Sequence, residues 1–275
     1  MKTITFKLAT ENFINLFLLV FLLMVTPFAF SQPATSRNIT VYQYRIVPPD
    51  KINQFIKRET TYYSEIAKKA MEKGNLQFWA LLQKVGGNDI PNSPNFLFVN
   101  TYKDIDRIGD VWSNAAAVFP KIPVAQIETE SLSKVTATYF LADQAWEQSG
   151  KAGENDFNFI KFNYLSSSDP SASAALEKKY WQPFIKNAME NAHTTQIAWG
   201  NAILLSPTGD DMDFNIVAYD IYSNLKEALY PNWNEKTVFP NEGLTEIGKL
   251  EVKPRSSEVY QIIKSVSATN TTTSN

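Results

Sequence analysis

The sequence predicts an α+β fold in which two tandem βαββαβ units face each other through their antiparallel sheets as an α/β barrel. A helical segment recurs after 118 residues, and strand-like and helix-like segments follow the same order in both halves of the chain. An apolar leader ahead of the first strand sets where the first unit begins. Together these observations predict one large globular body built from two similar halves.

The leader, residues 1–31, has the pattern of a secretory signal peptide. Two lysines precede an apolar stretch at 13–30, and Ala29 and Ser31 place small residues at the −3 and −1 positions of a cleavage site. We expect the mature protein to begin at Gln32 and to be exported to the periplasm or the cell exterior. The alternative is an uncleaved membrane anchor. No second apolar run of that length follows, so we expect no membrane span after signal removal.

The repeat is clearest in the first helix of each half. Glu59–Glu72 and Glu177–Glu190 share six of fourteen residues, where average composition gives about one. Trp79 aligns with Trp199 after a two-residue adjustment. A duplication explains this similarity. The predicted units are 32–147 and 154–267, with a polar linker between them and a disordered tail at 268–275.

In the first half, alternating apolar and β-branched residues predict the strands, and Asp50 and Asp104 are the expected helix N-caps. Gly74 follows the last apolar position of the first helix, where a C-cap is needed. The predicted strands are 40–47, 78–84, 96–102 and 134–141.

In the second half, Asp169 followed by Pro170 predicts a helix start, and Ser223 opens the next helix. Pro183 lies inside the first of these helices and is expected to kink or split it. The predicted strands are 157–165, 196–205, 214–221 and 258–265.

This order of elements, duplicated in one chain, resembles the dimeric α/β-barrel superfamily, whose unit is the ferredoxin-like βαββαβ fold. The resemblance implies a monomer with an intramolecular pseudo-dimer. It covers most of the predicted mature chain and rests on element order and duplication. The superfamily includes small monooxygenases, haem-degrading enzymes, dye-decolourising peroxidases and lactone isomerases, so the fold alone implies no single function.

Composition removes several classes of function. The 275 residues include no cysteine and one histidine, which excludes thiol and iron–sulfur chemistry and argues against a multi-histidine metal site. The net charge is −2 without a basic block, so we expect no nucleic-acid partner. We expect no metal and no cofactor. Aromatic residues make up 13% of the chain, a generous supply for a core or for a small-molecule pocket.

The first strands suggest where such a pocket lies. One face carries only apolar and aromatic residues in both halves, and we expect it to pack beneath the helices. The other face is mixed, and we expect it to line a cavity between the two sheets, because buried polar groups need water, a ligand or partners. The predicted ligand-binding residues are Gln43, Arg45, Trp79, Lys161, Asn163 and Trp199.

Each of these residues also has a structural interpretation. The four polar ones can lie near strand ends and pair with carboxylates, and the two tryptophans can be core residues. His193 is a candidate haem ligand or an exposed residue at a helix end. Asp210, Asp211 and Asp213 form either a calcium site or a solvated turn.

Glu59 and Glu177 recur at the same repeat position, with a tyrosine three residues later in each copy. Paired carboxylates can perform acid–base chemistry. Polar positions on a duplicated helix explain them equally well.

Three hypotheses follow. The first is an exported protein that binds a small apolar or aromatic molecule between its sheets. The second is an enzyme of the monooxygenase or isomerase kind, with Arg45, Lys161 or Asn163 holding an anionic intermediate. The third is a structural or interaction protein whose barrel is filled with side chains.

Overall fold

The structure, a computed structural model, describes residues 38–87, 90–113 and 115–268. The predicted signal peptide and residues 269–275 of the predicted tail lie outside the described residues. Within the described part of the chain, no helix is long and apolar enough to cross a membrane.

Eight strands in the described residues close into an antiparallel barrel. They are β1 (Ile39–Ile46), β2 (Leu76–Lys84), β3 (Phe96–Tyr102), β4 (Lys134–Gln148), β5 (Phe159–Leu165), β6 (Ala198–Ser206), β7 (Ile216–Tyr222) and β8 (Ser256–Ser267).

The strand order around the barrel is β1-β3-β2-β8-β5-β7-β6-β4. Each half therefore contributes a run with the same connectivity, β4-β1-β3-β2 from the first and β8-β5-β7-β6 from the second. Antiparallel pairing of β2 with β8 and of β4 with β6 joins the two runs. The predicted α+β barrel fold is confirmed.

Helices cover the outside of the barrel. Helix α1 consists of Ile52–Arg58, a π-helical turn Glu59–Tyr63 and Ser64–Glu72, and helix α5 consists of Pro170–Leu176, a π-helical turn Glu177–Trp181 and Gln182–Glu190. The shorter helices are α2 (Ile108–Trp112), α3 (Ala115–Val118), α4 (Val124–Ile127), α6 (Leu225–Leu229) and α7 (Asn241–Leu250).

Helix α5 continues through Pro183, so of the two predicted effects, a kink or a split, the split does not occur. It lies at the start of the α-helical segment that follows the π-helical turn. The corresponding turn of α1 occurs without a proline, so proline is not what produces the turn. A π-helical turn adds a residue to one helical turn and is often found at functional sites.

The halves match in detail as well as in order. The Asn95 side chain exchanges two hydrogen bonds with the Val47 backbone, and Asn215 does the same with Ser167, 120 residues further along the chain. The π-helical turns are only 118 residues apart, so the connection from the first strand to its helix is two residues shorter in the second half.

Several elements differ from the prediction. Helices α3 and α4 were not predicted, Asp50 lies inside a 3-10 turn and is not an N-cap, and Asn224 rather than Ser223 caps helix α6. Strand β4 continues to Gln148 instead of ending at 141, because its second part pairs with β6 across the junction of the halves. Helix α7 was not predicted. It packs closely on α5, where Gly243 leaves room for the Tyr180 ring: a Cβ at this glycine would lie 2.3 Å from the tyrosine Cβ.

Aromatic rings from both halves meet inside the barrel. The Tyr42 and Phe162 rings are 5.4 Å apart, and the Tyr44 and Tyr164 hydroxyls are hydrogen-bonded at 2.7 Å. Strands β1 and β5 are not neighbours in the sheet, so these contacts cross the interior. The face of β1 and β5 expected to lie beneath the helices is therefore the inner face of the barrel.

Candidate functional site

The predicted site residues lie outside the barrel wall, beneath the helices. Arg45 lies over the ring of Phe98, which in turn contacts Phe55 of helix α1. Trp79, 1% exposed, belongs to the same helix-covered cluster as Phe55. Gln43, on the same face of β1, accepts a hydrogen bond from Arg45 Nε at 2.8 Å.

The other three predicted residues lie under the helices of the second half. Trp199 packs against Ile185 of helix α5, and Asn163 donates to Asp220 at 2.8 Å. Lys161 stands opposite Asp220 in the β5–β7 pairing. The structure thus separates the six residues into two groups of three on different sides of the barrel.

The prediction that Gln43, Arg45, Trp79, Lys161, Asn163 and Trp199 line the space between the sheets is wrong in its placement. The barrel interior offers side chains only from the strands themselves, so it favours aromatic and aliphatic groups. The outer face also meets helices and loops, which provide hydrogen-bond partners for polar groups. Ser133, for example, accepts from Arg45 Nη1 at 2.9 Å.

Glu59 is the most unusual group in the first cluster. It opens the π-helical turn of α1 and is only 2% exposed. Thr129, also buried, donates its hydroxyl proton to Glu59 Oε1 at 2.5 Å. The second oxygen, Oε2, is buried and has no hydrogen-bond partner among the described residues. A buried carboxyl oxygen in this state is costly unless it is protonated or meets a ligand or water.

Burial raises the pKa of Glu59 to about 7, and the Thr129 hydrogen bond and the nearby Arg45 charge only partly oppose that rise. The Arg45 guanidinium donates hydrogen bonds to Gln43 and Ser133, and its charge acts on Glu59 through space. The site therefore combines a carboxyl group that titrates near neutral pH with a fixed cation close by. This combination can move a proton and stabilise an anion.

Aromatic residues form the wall next to Glu59. Tyr63, one helical turn further along α1, has its ring centroid 6.2 Å from that of Trp112. Burial and, next, the Glu59 charge raise the pKa of the Tyr63 phenol, which keeps it neutral at physiological pH. The Trp112 indole donates to the Tyr102 hydroxyl at 2.8 Å, which fixes its orientation.

A second polar cluster occupies the corresponding place in the other half. Glu177, 4% exposed, opens the π-helical turn of α5 and accepts from Asn201 Nδ2 at 2.5 Å. Asp220 accepts from Asn163 and, at 2.7 Å, from Gln196. Burial raises the pKa of Glu177, and burial raises that of Asp220 to about 6.

Sequence reasoning had singled out Glu59 and Glu177 through the repeat, but it missed their partners. Thr129 lies 70 residues after Glu59, between helix α4 and strand β4, and is not part of the segment whose similarity marked Glu59. Asn201 and Asp220 lie within largely apolar strand segments, and the strand pattern did not mark them as site residues. A polar residue interrupting a buried strand is the signal that could have marked them.

The remaining candidates do not join either cluster. His193 is half-buried just beyond the end of α5, and its backbone N–H donates to Ala188. Asp210, Asp211 and Asp213 are exposed in the β6–β7 connection, as a solvated turn requires. Among the described residues, no group of three or more His, Cys, Asp or Glu side chains could hold a metal ion.

No family model matches the sequence, and no curated protein matches it. Solved structures do match the fold. An anthrone oxidase-like protein superposes with a TM-score of 0.51 at 12% identity, covering 86% of this chain and 95% of its own. A candidate monooxygenase from Lactobacillus acidophilus NCFM gives 0.55 at 9% identity, covering 84% and 96%. This chain thus has the dimeric α+β barrel fold within a single polypeptide.

Proposed function

We propose that this chain is a monooxygenase-like enzyme in which Glu59 accepts a proton from an organic molecule bound between helix α1 and the barrel wall. One observation carries the proposal. The Glu59 carboxyl group is buried, has a pKa of about 7 and keeps one oxygen without a partner among the described residues. A carboxylate in this condition is a general base matched to neutral pH.

The chemistry requires an activated C–H group in the substrate. Glu59 Oε2 takes the proton, and the electron pair left on carbon delocalises onto a substrate oxygen. Arg45, held by Gln43 and Ser133, stabilises that oxyanion. Molecular oxygen is the oxidant: a methylene group and O₂ give a carbonyl group and one water, which balances atoms and electrons without a further reductant.

The names of the two fold neighbours, an anthrone oxidase-like protein and a candidate monooxygenase, agree with this class of reaction. At 12% and 9% identity these neighbours support the fold alone. The functional argument therefore rests on the residues of the site. The substrate is placed beneath helix α1 because aromatic rings already meet across the barrel interior.

We further propose that the protein is exported after cleavage before Gln32, and that its two halves, 32–147 and 154–267, are tandem copies that act as one monomer. The matched asparagine bridges and π-helical turns support the duplication. N-terminal sequencing of the exported protein tests the cleavage, and recovery of Met1 would contradict it. Light scattering tests the monomer.

The decisive experiment measures oxygen uptake with anthrone as a probe of an activated methylene. We expect wild-type protein to consume O₂ and form the carbonyl product, and Glu59→Gln to lose at least about a hundredfold in rate. Glu65→Gln is the matched control, since Glu65 is an exposed residue of the same helix paired with Lys68. Equal rates in wild type and Glu59→Gln, or no uptake above the uncatalysed rate, would overturn the proposal.

A further inference from the structure

We infer that the second half of the barrel holds a separate binding site for a small organic cation, a protonated amine, between helix α5 and strands β5, β7 and β6. Its acceptor groups are Asn201 and Glu177, with Asp220 beside them. This site is independent of the chemistry proposed for Glu59.

Asn201 is the first observation. It is 0% exposed, lies in β6 opposite Ala218 of β7, and directs its amide toward helix α5, where Nδ2 donates to Glu177 at 2.5 Å. Its oxygen, Oδ1, is buried without a partner among the described residues. A fully buried amide oxygen left unpaired is costly, so the site calls for a hydrogen-bond donor.

The second observation is that carboxyl groups outnumber cationic side chains around that oxygen. Glu177 is within electrostatic range of Asp220, Glu251 and Arg255, and Asp220 is within range of Lys161 and Arg255. Arg255 is already hydrogen-bonded to Glu251. The cluster thus has three carboxyl groups and two cationic side chains, so it carries one uncompensated negative charge when all three carboxyl groups are ionised.

The third observation is the difference between the halves. Arg45 stands opposite Phe96 in the first half, and the matching place opposite Ile216 in the second half belongs to Leu165. Asn100, opposite Trp79, corresponds in the same way to Asp220, opposite Trp199. The second half has exchanged a cation for an apolar residue and an amide for a carboxylate, and it has gained Lys161 in place of Val41 opposite that carboxylate. With all of these groups ionised, its net charge is one unit more negative than that of the first half, so it favours a cationic ligand.

A primary ammonium group meets these requirements. It carries three N–H donors and one positive charge, so it can donate to Asn201 Oδ1 and pair with Glu177. A neutral alcohol supplies one donor without the charge, and a carboxylate adds repulsion. The site should therefore rank an ammonium above its neutral and anionic isosteres.

The experiment titrates the full-length mature protein with benzylammonium, benzyl alcohol and benzoate by calorimetry. The Asn201 side-chain amide resonances are followed in parallel by NMR. We expect saturable binding of benzylammonium, at least about tenfold tighter than benzyl alcohol, with a shift of the Asn201 resonances. Benzoate should not bind there.

Three variants test where benzylammonium binds. Glu177→Gln and Asn201→Leu should each weaken benzylammonium about tenfold or more, whereas Asn100→Leu, the buried amide of the other half, should leave its affinity unchanged. If Asn201→Leu does not fold, the affinity of Glu177→Gln for benzylammonium and the wild-type ranking of the three probes still test the inference. The inference is overturned by absence of saturable benzylammonium binding, by equal affinity for the alcohol, or by undiminished binding in Glu177→Gln.

Discussion

The phenol oxygens of Tyr44 and Tyr164 are 2.7 Å apart in the barrel interior and form a direct hydrogen bond between the two halves. Tyr164 also donates toward Glu258 Oε2 at 3.3 Å, and the same oxygen accepts from Tyr260 at 2.9 Å. Lys84 completes the group by donating to the other Glu258 oxygen at 2.5 Å. A partly buried chain of polar side chains thus connects strands of both halves.

Replacing Tyr44 by Phe should destabilise the protein by about 1 kcal/mol, because it removes the hydrogen bond without opening a cavity. Urea unfolding measures the change. Tyr230→Phe, at an 81% exposed position, is the control and should leave stability within about 0.5 kcal/mol. Equal losses in the two variants would show that the Tyr44–Tyr164 hydrogen bond does not stabilise the fold.

Alternation along the strands predicted the elements well but could not identify the inner face. Strand β3 was predicted at 96–102, where the structure has it, yet all seven of its residues are buried. A strand covered by helices on one side and by the opposite sheet on the other carries no inside–outside pattern. The shift from 118 to 120 residues between matching strands is even, so it leaves the two faces unchanged and did not cause the error.

From the sequence, only the site residues that lie in the two similar helical segments could be predicted. Glu59 and Glu177 stand out because both similar helical segments contain them, whereas Thr129 lies in a loop outside those segments. Arg45 was recognised as a cation that needed a partner, but its partners come from a loop near residue 133 and from its own strand. Contacts between distant segments depend on tertiary packing, which local patterns do not encode.

The Glu59 carboxyl group should make stability depend on pH. Its pKa is about 7 in the folded protein against a usual 4.5, so the folded state holds a proton that the unfolded state has lost between these values. The free energy of unfolding should therefore fall as pH rises from about 4.5 to about 7 and stay lower above that. The full effect is about 3 kcal/mol at about 1.4 kcal/mol for each pKa unit.

Glu59→Gln isolates this contribution from the other buried acids, which titrate in the same direction. Urea unfolding at pH 4, 6 and 8 should show similar stability at pH 4 and a growing advantage of the variant as pH rises. A constant difference between variant and wild type across this range would contradict the assignment.

The charge of Arg45 should affect the pKa of Glu59. Because its charge lowers the pKa of Glu59, Arg45→Gln should move the pKa of Glu59 further above its present value of about 7. Arg45→Lys keeps the charge and should change the pKa less, although it loses the hydrogen bonds to Gln43 and Ser133. Carbon-detected NMR titration of the Glu59 carboxyl group measures both. An unchanged pKa in Arg45→Gln would mean that Arg45 does not act on Glu59.

Adding a side chain at Gly200 should destabilise the protein. A Cβ there would lie 2.5 Å from both Cζ and Oη of Tyr219, whose ring packs 6.2 Å from Phe162 in the interior and 6.1 Å from Trp146. Gly200→Ala must therefore displace the ring and should destabilise the protein by about 2 kcal/mol. Gly248→Ala, in helix α7 with nothing within 4 Å of the added carbon, should instead stabilise it by about 0.5–1 kcal/mol. Thermal and urea unfolding of the two variants should move in opposite directions, and a stabilised Gly200→Ala variant would show that the Tyr219 ring is not held against β6.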